Sequence, residues 1–196
     1  MTRLAVVLGS IRPNRVGAAI AQWVVDKAGT VEGVQAELVD LASFDLPLFV
    51  EEVPPMMAAP KHPAAVAWNE AIASYDAIVV VTPEYNRSVP GALKNAIDFL
   101  VPAALARKGV GLVGYSYSGG IRPMEHLRQI LANFDTDVVA PQVSLNLATD
   151  ISEGVFTPAA YHDGEVPAMV QAVVARSGAL ADRKSTRLNS SHVKLS

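Results

Sequence analysis

The sequence contains no cysteine, and this absence excludes several kinds of redox site at once. Without thiols there is no disulfide, no iron–sulfur cluster, no thiolate zinc site and no cysteine-based redox chemistry. The four histidines are scattered without the spacing of metal ligands, so we expect no metal site. Any electron transfer by this chain would therefore need a bound cofactor.

Charge and long apolar runs are also scarce. Charged residues make up 18% of the chain and the net charge is only −3, which argues against nucleic acid as a partner. No apolar run approaches the roughly 20 residues of a membrane helix, so we expect no membrane partner. The chain starts Met-Thr-Arg and runs straight into a strand pattern, which predicts no signal peptide and a cytoplasmic location.

Strand and helix patterns alternate along the chain. Five segments have strand patterns: Leu4–Leu8, Val34–Leu41, Ala77–Val81, Gly109–Gly114 and Asp137–Val143. Ala77–Val81 is an unbroken run of mostly β-branched residues, Val34–Leu41 alternates, and Gly109–Gly114 is rich in glycine. The alternation of strand and helix patterns predicts an α/β fold, a parallel doubly wound sheet with helices on both faces. Five strands favour the flavodoxin-like order 2-1-3-4-5. Because proline cannot donate to a sheet, Pro141 predicts an edge or a bulge in the fifth strand.

The composition predicts one domain over residues 1–181. A hydrophobic fraction of 51% is enough for a full core. Ser43–Pro63 holds five prolines and shows no periodicity, so we expect a long loop of functional or interfacial use. Residues 182–196 are basic, lack apolar periodicity and resemble translated cloning DNA, so we predict a non-native or disordered tail. The alternative is a basic tail that binds an anionic surface.

The loop after the first predicted strand, Gly9–Gly17, is suited to a phosphate. It offers the Ser10 hydroxyl, Arg12, Asn14 and Arg15 at the start of a helix. A helix N-terminus supplies unpaired N–H groups, and arginine binds phosphate through two parallel hydrogen bonds. The loop lacks the lysine of a P-loop and the G-x-G-x-x-G of a dinucleotide fold. Two arginines this close favour a terminal monophosphate; the alternative is a solvated turn.

The loops after the third and fourth strands should meet the first loop at one edge of the sheet. In Thr82–Leu100, Pro83 stiffens the chain, the following amides can donate to a planar ring, and Tyr85 can stack on it. Ser88 is the expected N-cap of the next helix, with Pro90 in its first turn. Glu84, considered alone, is more typical of a surface carboxylate, and we assign it no acid–base role. The Tyr115–Gly120 loop combines hydroxyl groups with a Gly-Gly pair that permits close backbone approach.

Three motifs carry a family resemblance: Gly9-Ser-Ile-Arg12, Pro83-Glu-Tyr-Asn86 followed by Ser88–Asp98, and Ser118-Gly-Gly120. Together they resemble the NADPH-dependent FMN reductase family over about Arg3 to Leu180. The resemblance implies a flavodoxin-like fold that binds FMN non-covalently, and a dimer or tetramer with the flavin near the interface. It also implies cofactor-binding positions. The phosphate would be held by Ser10, Arg12, Asn14, Arg15 and the amide of Val16; the isoalloxazine would be contacted by Pro83, Glu84, Tyr85 and Asn86, and closed on its other side by Ser116, Tyr117, Ser118, Gly119 and Gly120.

The resemblance implies an NAD(P)H:acceptor oxidoreductase in which hydride passes through FMN to a quinone, a flavin or a similar small acceptor, with ping-pong kinetics. The cofactor carries that chemistry, so no catalytic side chain is required. The sequence leaves open whether NADPH or NADH is preferred. Two alternatives stay open at this point: a flavodoxin-like carrier of single electrons without NAD(P)H oxidation, and a domain that uses flavin only as a ligand or sensor.

Overall fold

The structure is a computed structural model that describes the backbone of residues 1–192 and the side chains of residues 1–182. Its strands are β1 (Thr2–Leu8), β2 (Val34–Asp40), β3 (Ala77–Pro83), β4 (Gly109–Ser116), β5 (Asp137–Val138), β6 (Val143–Asn146), β7 (Ile151–Ser152) and β8 (Val155–Phe156). Its helices are α1 (Gly17–Ala28), α2 (Pro63–Ala73), α3 (Gly91–Asp98), α4 (Pro102–Leu105), α5 (Ile121–Leu131) and α6 (Glu165–His192). Short 3₁₀ turns cover Leu41–Phe44, Ala132–Phe134 and Ala160–Asp163.

The main sheet is parallel and confirms the predicted order, β2-β1-β3-β4-β5. The predicted fifth strand is divided: β5 pairs with the start of β4 and β6 with its end. Pro141 lies between the two pieces, so the interruption expected from the sequence is present. A small antiparallel hairpin, β7–β8, lies between β6 and α6.

Two apolar layers cover the two faces of the sheet. Alternate residues of β1 and β3, such as Val7 and Val80, pack with α2, α3 and α5. Their sequence neighbours, such as Val6 and Val79, pack with α1 and α6. Strands buried on both faces need continuous apolar runs, which is why β3 and β4 could be recognised in the sequence.

Two helix boundaries differ from the prediction. Helix α3 begins at Gly91, with Pro90 at its N-cap position and no side-chain cap. Ser88 is therefore not the N-cap; its Oγ lies 2.8 Å from His126 Nδ1 on α5 instead. Helix α6 continues to His192, beyond residue 181, where the predicted domain ends. The side chains of 183–196 and the backbone of 193–196 lie outside the described residues, so the proposed origin of the 182–196 tail stays a prediction.

The proline-rich segment forms the expected long connection between β2 and α2. After the 3₁₀ turn that ends at Phe44, it contains only turns and bends until α2 begins at Pro63. Its aromatic side chains cover the α2–α3 side of the core, with Phe44 against Trp68 at 5.1 Å and Phe49 against Phe99 at 5.0 Å between ring centroids. The segment is thus anchored at several points, although it lacks regular structure.

Candidate functional site: a cleft at the carboxyl ends of β1, β3 and β4

Three loops meet where β1, β3 and β4 end. Because β3 pairs with both β1 and β4, the carboxyl ends of these strands are neighbours at one edge of the sheet. The loops enclose an open cleft of about 280 Å³. Its lining residues are Ser10, Arg12, Arg15, Val16, Pro83, Glu84, Tyr85, Tyr115, Ser116, Tyr117 and Leu147. This is the position at which open α/β sheets bind ligands.

The loop after β1 forms one end of the cleft. Ser10 is buried, and its Oγ lies 3.0 Å from the Tyr85 hydroxyl, which joins this loop to the loop after β3. Arg12 is exposed, and within the described part of the chain no acceptor is bonded to its guanidinium. Helix α1 starts behind Val16 without a side-chain cap. This end of the cleft therefore presents an unpaired cation beside an uncapped helix N-terminus, which suits a phosphate dianion.

Arg15 differs from Arg12 in its pairing. Its guanidinium forms an ion pair with Asp40 at the end of β2, and it also donates to the Arg12 carbonyl at 3.3 Å. The Nε atom of Arg15 is buried and has no hydrogen-bond partner among the described residues. Asp40 in turn accepts the backbone N–H of Ala42 at 3.0 Å. Arg15 is therefore held in place beside the cleft, with part of its charge already neutralised.

Tyr115 forms the floor of this end. It is 4% exposed, and its phenol lies against Gly17, where a Cβ would overlap it. Burial raises the pKa of the Tyr115 phenol far above its ordinary value, so the group stays neutral. The glycine at position 17 is thus required by the close approach of an aromatic side chain to the start of α1.

The loop after β3 is closed by a tight turn. Tyr85 and Ser88 exchange two backbone hydrogen bonds of 2.9 and 3.0 Å. The two residues between them, Asn86 and Arg87, both have positive φ angles of 47° and 70°. Paired positive φ angles are typical of a type I′ turn, a conformation that asparagine tolerates and arginine does not favour. Asn86 is exposed and lies outside the cleft lining, so its role in the structure is to form the turn.

The other end of the cleft is cross-linked by a network around Glu84. The side chain of Glu84 is only 9% exposed. Its carboxylate accepts hydrogen bonds from Ser116 Oγ at 3.1 Å, Ser118 Oγ at 2.8 Å and Arg122 at 2.6 Å. Burial would by itself raise the pKa of Glu84, but the bonds from Ser118, Arg122 and Ser116 outweigh it and hold the pKa below its ordinary value. Glu84 is thus a buried, paired carboxylate.

Ser116 organises the turn that follows β4. Its Oγ accepts the backbone N–H groups of Ser118 at 3.0 Å and Gly120 at 2.8 Å. Gly119 and Gly120 are both left-handed, with φ angles of 77° and 65°. A Cβ on Gly119 would overlap Ser144, and one on Gly120 would overlap the backbone of Gly114 and Tyr115. The two glycines therefore let the turn pack closely against β4 and β6.

Nine of the fourteen predicted site residues line the cleft, and the other five surround it. The nine are Ser10, Arg12, Arg15, Val16, Pro83, Glu84, Tyr85, Ser116 and Tyr117. The five outside the lining are Asn14, Asn86, Ser118, Gly119 and Gly120. Asn14 is exposed and has a φ angle of 54°, so it turns the loop before α1.

Sequence reasoning assigned no site role to four residues at this cleft. Tyr115 and Leu147 line the cleft, and the backbone N–H of Leu147 donates to the Ser116 carbonyl at 3.0 Å. Asp40 and Arg122 hold lining residues from outside. Asp40 is the last but one residue of the predicted second strand, Val34–Leu41, so the expected strand order already placed it near the first loop. Arg122 is a cation in the first turn of the helix that follows the third loop, a weaker signal.

The fold and the site together define a class: a flavodoxin-like protein whose cleft can hold a mononucleotide, with donors suited to a phosphate at one end and a wall of cross-linked polar side chains at the other. The comparisons agree. The model of the NADPH-dependent FMN reductase family matches residues 2–150, and the chain belongs to that family. It is accordingly an oxidoreductase that uses FMN and NAD(P)H.

Individual relatives cover most of the chain. An NAD(P)H-dependent FMN reductase of Nectria sp is 36% identical over 147 residues, which are 72% of this chain and 73% of the relative. A quinone reductase of Escherichia coli (strain K12) is 35% identical over 70% of this chain and 73% of its own length. Among solved structures, the flavoenzyme NAD(P)H:(acceptor) oxidoreductase FerB of Paracoccus denitrificans superposes with a TM-score of 0.69 at 25% identity, covering 90% of this chain and 99% of FerB.

Proposed function

We propose that FMN occupies the cleft with its phosphate at the loop after β1 and its ring between the loops after β3 and β4. The observation that carries this placement is the unpaired guanidinium of Arg12 beside the uncapped N-terminus of α1. A phosphate dianion would satisfy both, and the buried, unpartnered Nε of Arg15 offers a further donor at the same end.

At the ring end the chain supplies position and exclusion of water. FMN, when bound, supplies hydride exchange between NAD(P)H and an acceptor. Pro83, Glu84 and Ser116 form a wall whose polar side chains are already paired with each other. Tyr117 is 78% exposed at the cleft and is placed to cover a ring from the solvent side. No side chain has to give or take a proton for these roles.

We propose a quinone as the electron acceptor. The quinone reductase of Escherichia coli supports this assignment, since it is 35% identical over most of this chain. A 2-hydroxy-1,4-benzoquinone reductase of Burkholderia sp, 30% identical over 68% of this chain, points to the same chemical class. Quinones are flat, as is nicotinamide, so one open cleft would admit either of them in turn.

We also propose a homo-oligomer. The proline-rich segment exposes four large apolar side chains, Leu48, Val50, Met56 and Met57, each more than 70% accessible. A concentration of exposed apolar side chains in one segment favours an interaction site. Among the described residues no helix is long and apolar enough to cross a membrane. The expected cytoplasmic location stays a prediction.

One preparation tests these proposals together. The purified protein, reconstituted with FMN and freed of excess cofactor, should show the absorbance of a bound flavin. It should lose that absorbance on addition of NADPH or NADH without air, and regain it when a benzoquinone is added. Light scattering on the same sample should give a mass of at least two chains. Protein that does not retain FMN would contradict the placement; flavin that is not bleached by either nicotinamide would contradict the activity.

A further inference from the structure

The hydrogen-bond network around Glu84 is more extensive than is needed for loops that only connect strands to helices. It joins the loop after β3, the loop after β4 and helix α5 through one carboxylate. Glu84 and Ser116 line the cleft, whereas Arg122 stands behind them and outside the lining. Arg122 also donates to Ser118 at 2.8 Å, so its guanidinium bonds two members of the network at once.

We propose that Arg122 is a positioning residue for the flavin ring: its guanidinium keeps Glu84 ionised, and the ionised Glu84 holds the two loops at the width that the ring requires. Arg122 itself does not touch the cofactor. The inference rests on the proposed placement of the ring between these loops. It adds a residue outside the cleft whose charge determines the shape of the cleft wall.

The chemistry of the network depends on the charge of Glu84. An ionised carboxylate can accept from Ser116, Ser118 and Arg122 together, because it has two acceptor oxygens and no proton. A protonated one must donate from one oxygen, so at least one of these three accepted bonds is lost or reversed. The side chain is 9% exposed, so without a cationic partner burial would favour the protonated form. Arg122, half-exposed at 41%, supplies the charge without being buried itself.

A second link between the same helix and the same loop provides a control. His126 lies one turn after Arg122 on α5, and its Nδ1 is 2.8 Å from Ser88 Oγ. Removal of this side chain loosens the loop from α5 without touching Glu84. The other charged or titratable groups that line the cleft are Arg12, Arg15, Tyr85, Tyr115 and Tyr117. They stay unchanged in both variants.

The test measures flavin dissociation constants for the full chain between pH 5 and pH 8. We expect Arg122→Gln to weaken FMN and riboflavin by the same factor, about tenfold at pH 8. The ratio to wild type should grow as the pH falls, because Glu84 then becomes protonated in the variant but not in the wild type. Arg122→Lys should restore most of the affinity. His126→Ala should give a smaller loss whose ratio to wild type does not change with pH; the titration of the FMN phosphate cancels in these ratios.

Three results would overturn the proposal. Flavin affinity in Arg122→Gln could equal that of wild type at every pH, or its loss could match that of His126→Ala without pH dependence. A loss for FMN but not for riboflavin would place Arg122 at the phosphate instead. If Arg122→Gln does not fold, Glu84→Gln replaces it, with an expected loss that no longer varies with pH. The phosphate assignment fails separately, if Arg12→Ala retains FMN as tightly as wild type.

Discussion

The two ends of the cleft differ in how far their polar side chains are already paired within the protein. At the α1 end, Arg12 and Asn14 are exposed, and the Arg12 guanidinium has no partner among the described residues. At the ring end, Glu84 accepts three hydrogen bonds and Ser116 Oγ accepts two backbone N–H groups. The α1 end keeps the Arg12 guanidinium free, whereas the polar side chains of the ring end are paired with one another.

The difference follows from what each end has to bind. A phosphate dianion is recognised by charge, so a donor that is already paired contributes less to its binding. A flat ring is recognised by shape, so the wall must stay at a fixed width, and paired polar groups hold it there without competing for the ring edge. Arg15 is an intermediate case, because it lies at the phosphate end but its guanidinium is already paired with Asp40.

The largest effect should come from the ring end, where the backbone is packed most closely. Gly120 has a φ angle of 65°, and a Cβ there would overlap the backbone of β4. We therefore expect Gly120→Ala to lower the free energy of unfolding by about 3 kcal/mol or more, from left-handed strain and overpacking together. Urea denaturation followed by circular dichroism measures this change.

Gly91→Ala is the matched control for that variant. Gly91 is the first residue of α3, has no positive φ angle, and a Cβ there would have no heavy atom within 4 Å. Its stability should stay within about 0.5 kcal/mol of wild type or rise. Equal stability of Gly120→Ala and Gly91→Ala would mean that the turn after β4 is not held as closely as the structure has it.

A substitution at the phosphate end should change the affinity for FMN rather than the free energy of unfolding. We expect Arg12→Ala to weaken FMN by roughly 1.5–3 kcal/mol, the usual contribution of a charge-assisted hydrogen bond. Because the Arg12 guanidinium has no partner among the described residues, the unfolding free energy of the cofactor-free chain should change little. Fluorescence titration with FMN and with riboflavin separates the two ends, since riboflavin has no phosphate and should bind the variant and the wild type alike. An equal loss of affinity for FMN and riboflavin would mean that Arg12 does not act on the phosphate, and the two ends would then not differ in the way described.

The fold could be predicted largely from the sequence because its signals are local. Ala77–Val81 is an unbroken apolar run that only a strand buried on both faces requires, and the predicted sheet order is confirmed. Pro141 marked the division of the fifth strand for an equally local reason. Ser88 was misassigned as an N-cap because its actual partner, His126, is 38 residues away in the sequence.

The partners within the site could not be predicted in the same way. Glu84 was expected to be an ordinary surface carboxylate if considered alone, and nothing near it in sequence contradicts this. It is buried because Arg122 and two serines come from the next βα unit, 32 to 38 residues later. Arg15 and Asp40 are likewise brought together only by the pairing of β1 with β2. The residue types were enough to predict the location of the cleft. They did not show which charged side chains are already paired with another residue of the chain.

The smallest effect should come from the turn at Tyr85–Ser88, the one part of the ring end that carries visible strain. Arg87 adopts a φ angle of 70°, and its exposed guanidinium has no hydrogen bond or ion pair within residues 1–182. Asn-Gly is the preferred pair for a type I′ turn, so Arg87→Gly should stabilise the chain by about 0.5–1 kcal/mol. Arg87→Ala removes the same charge but keeps the Cβ, and should leave the unfolding free energy unchanged. Denaturant midpoints compare the two variants. Equal stabilisation by both would assign the effect to the lost charge, and would leave the turn geometry without a measurable cost.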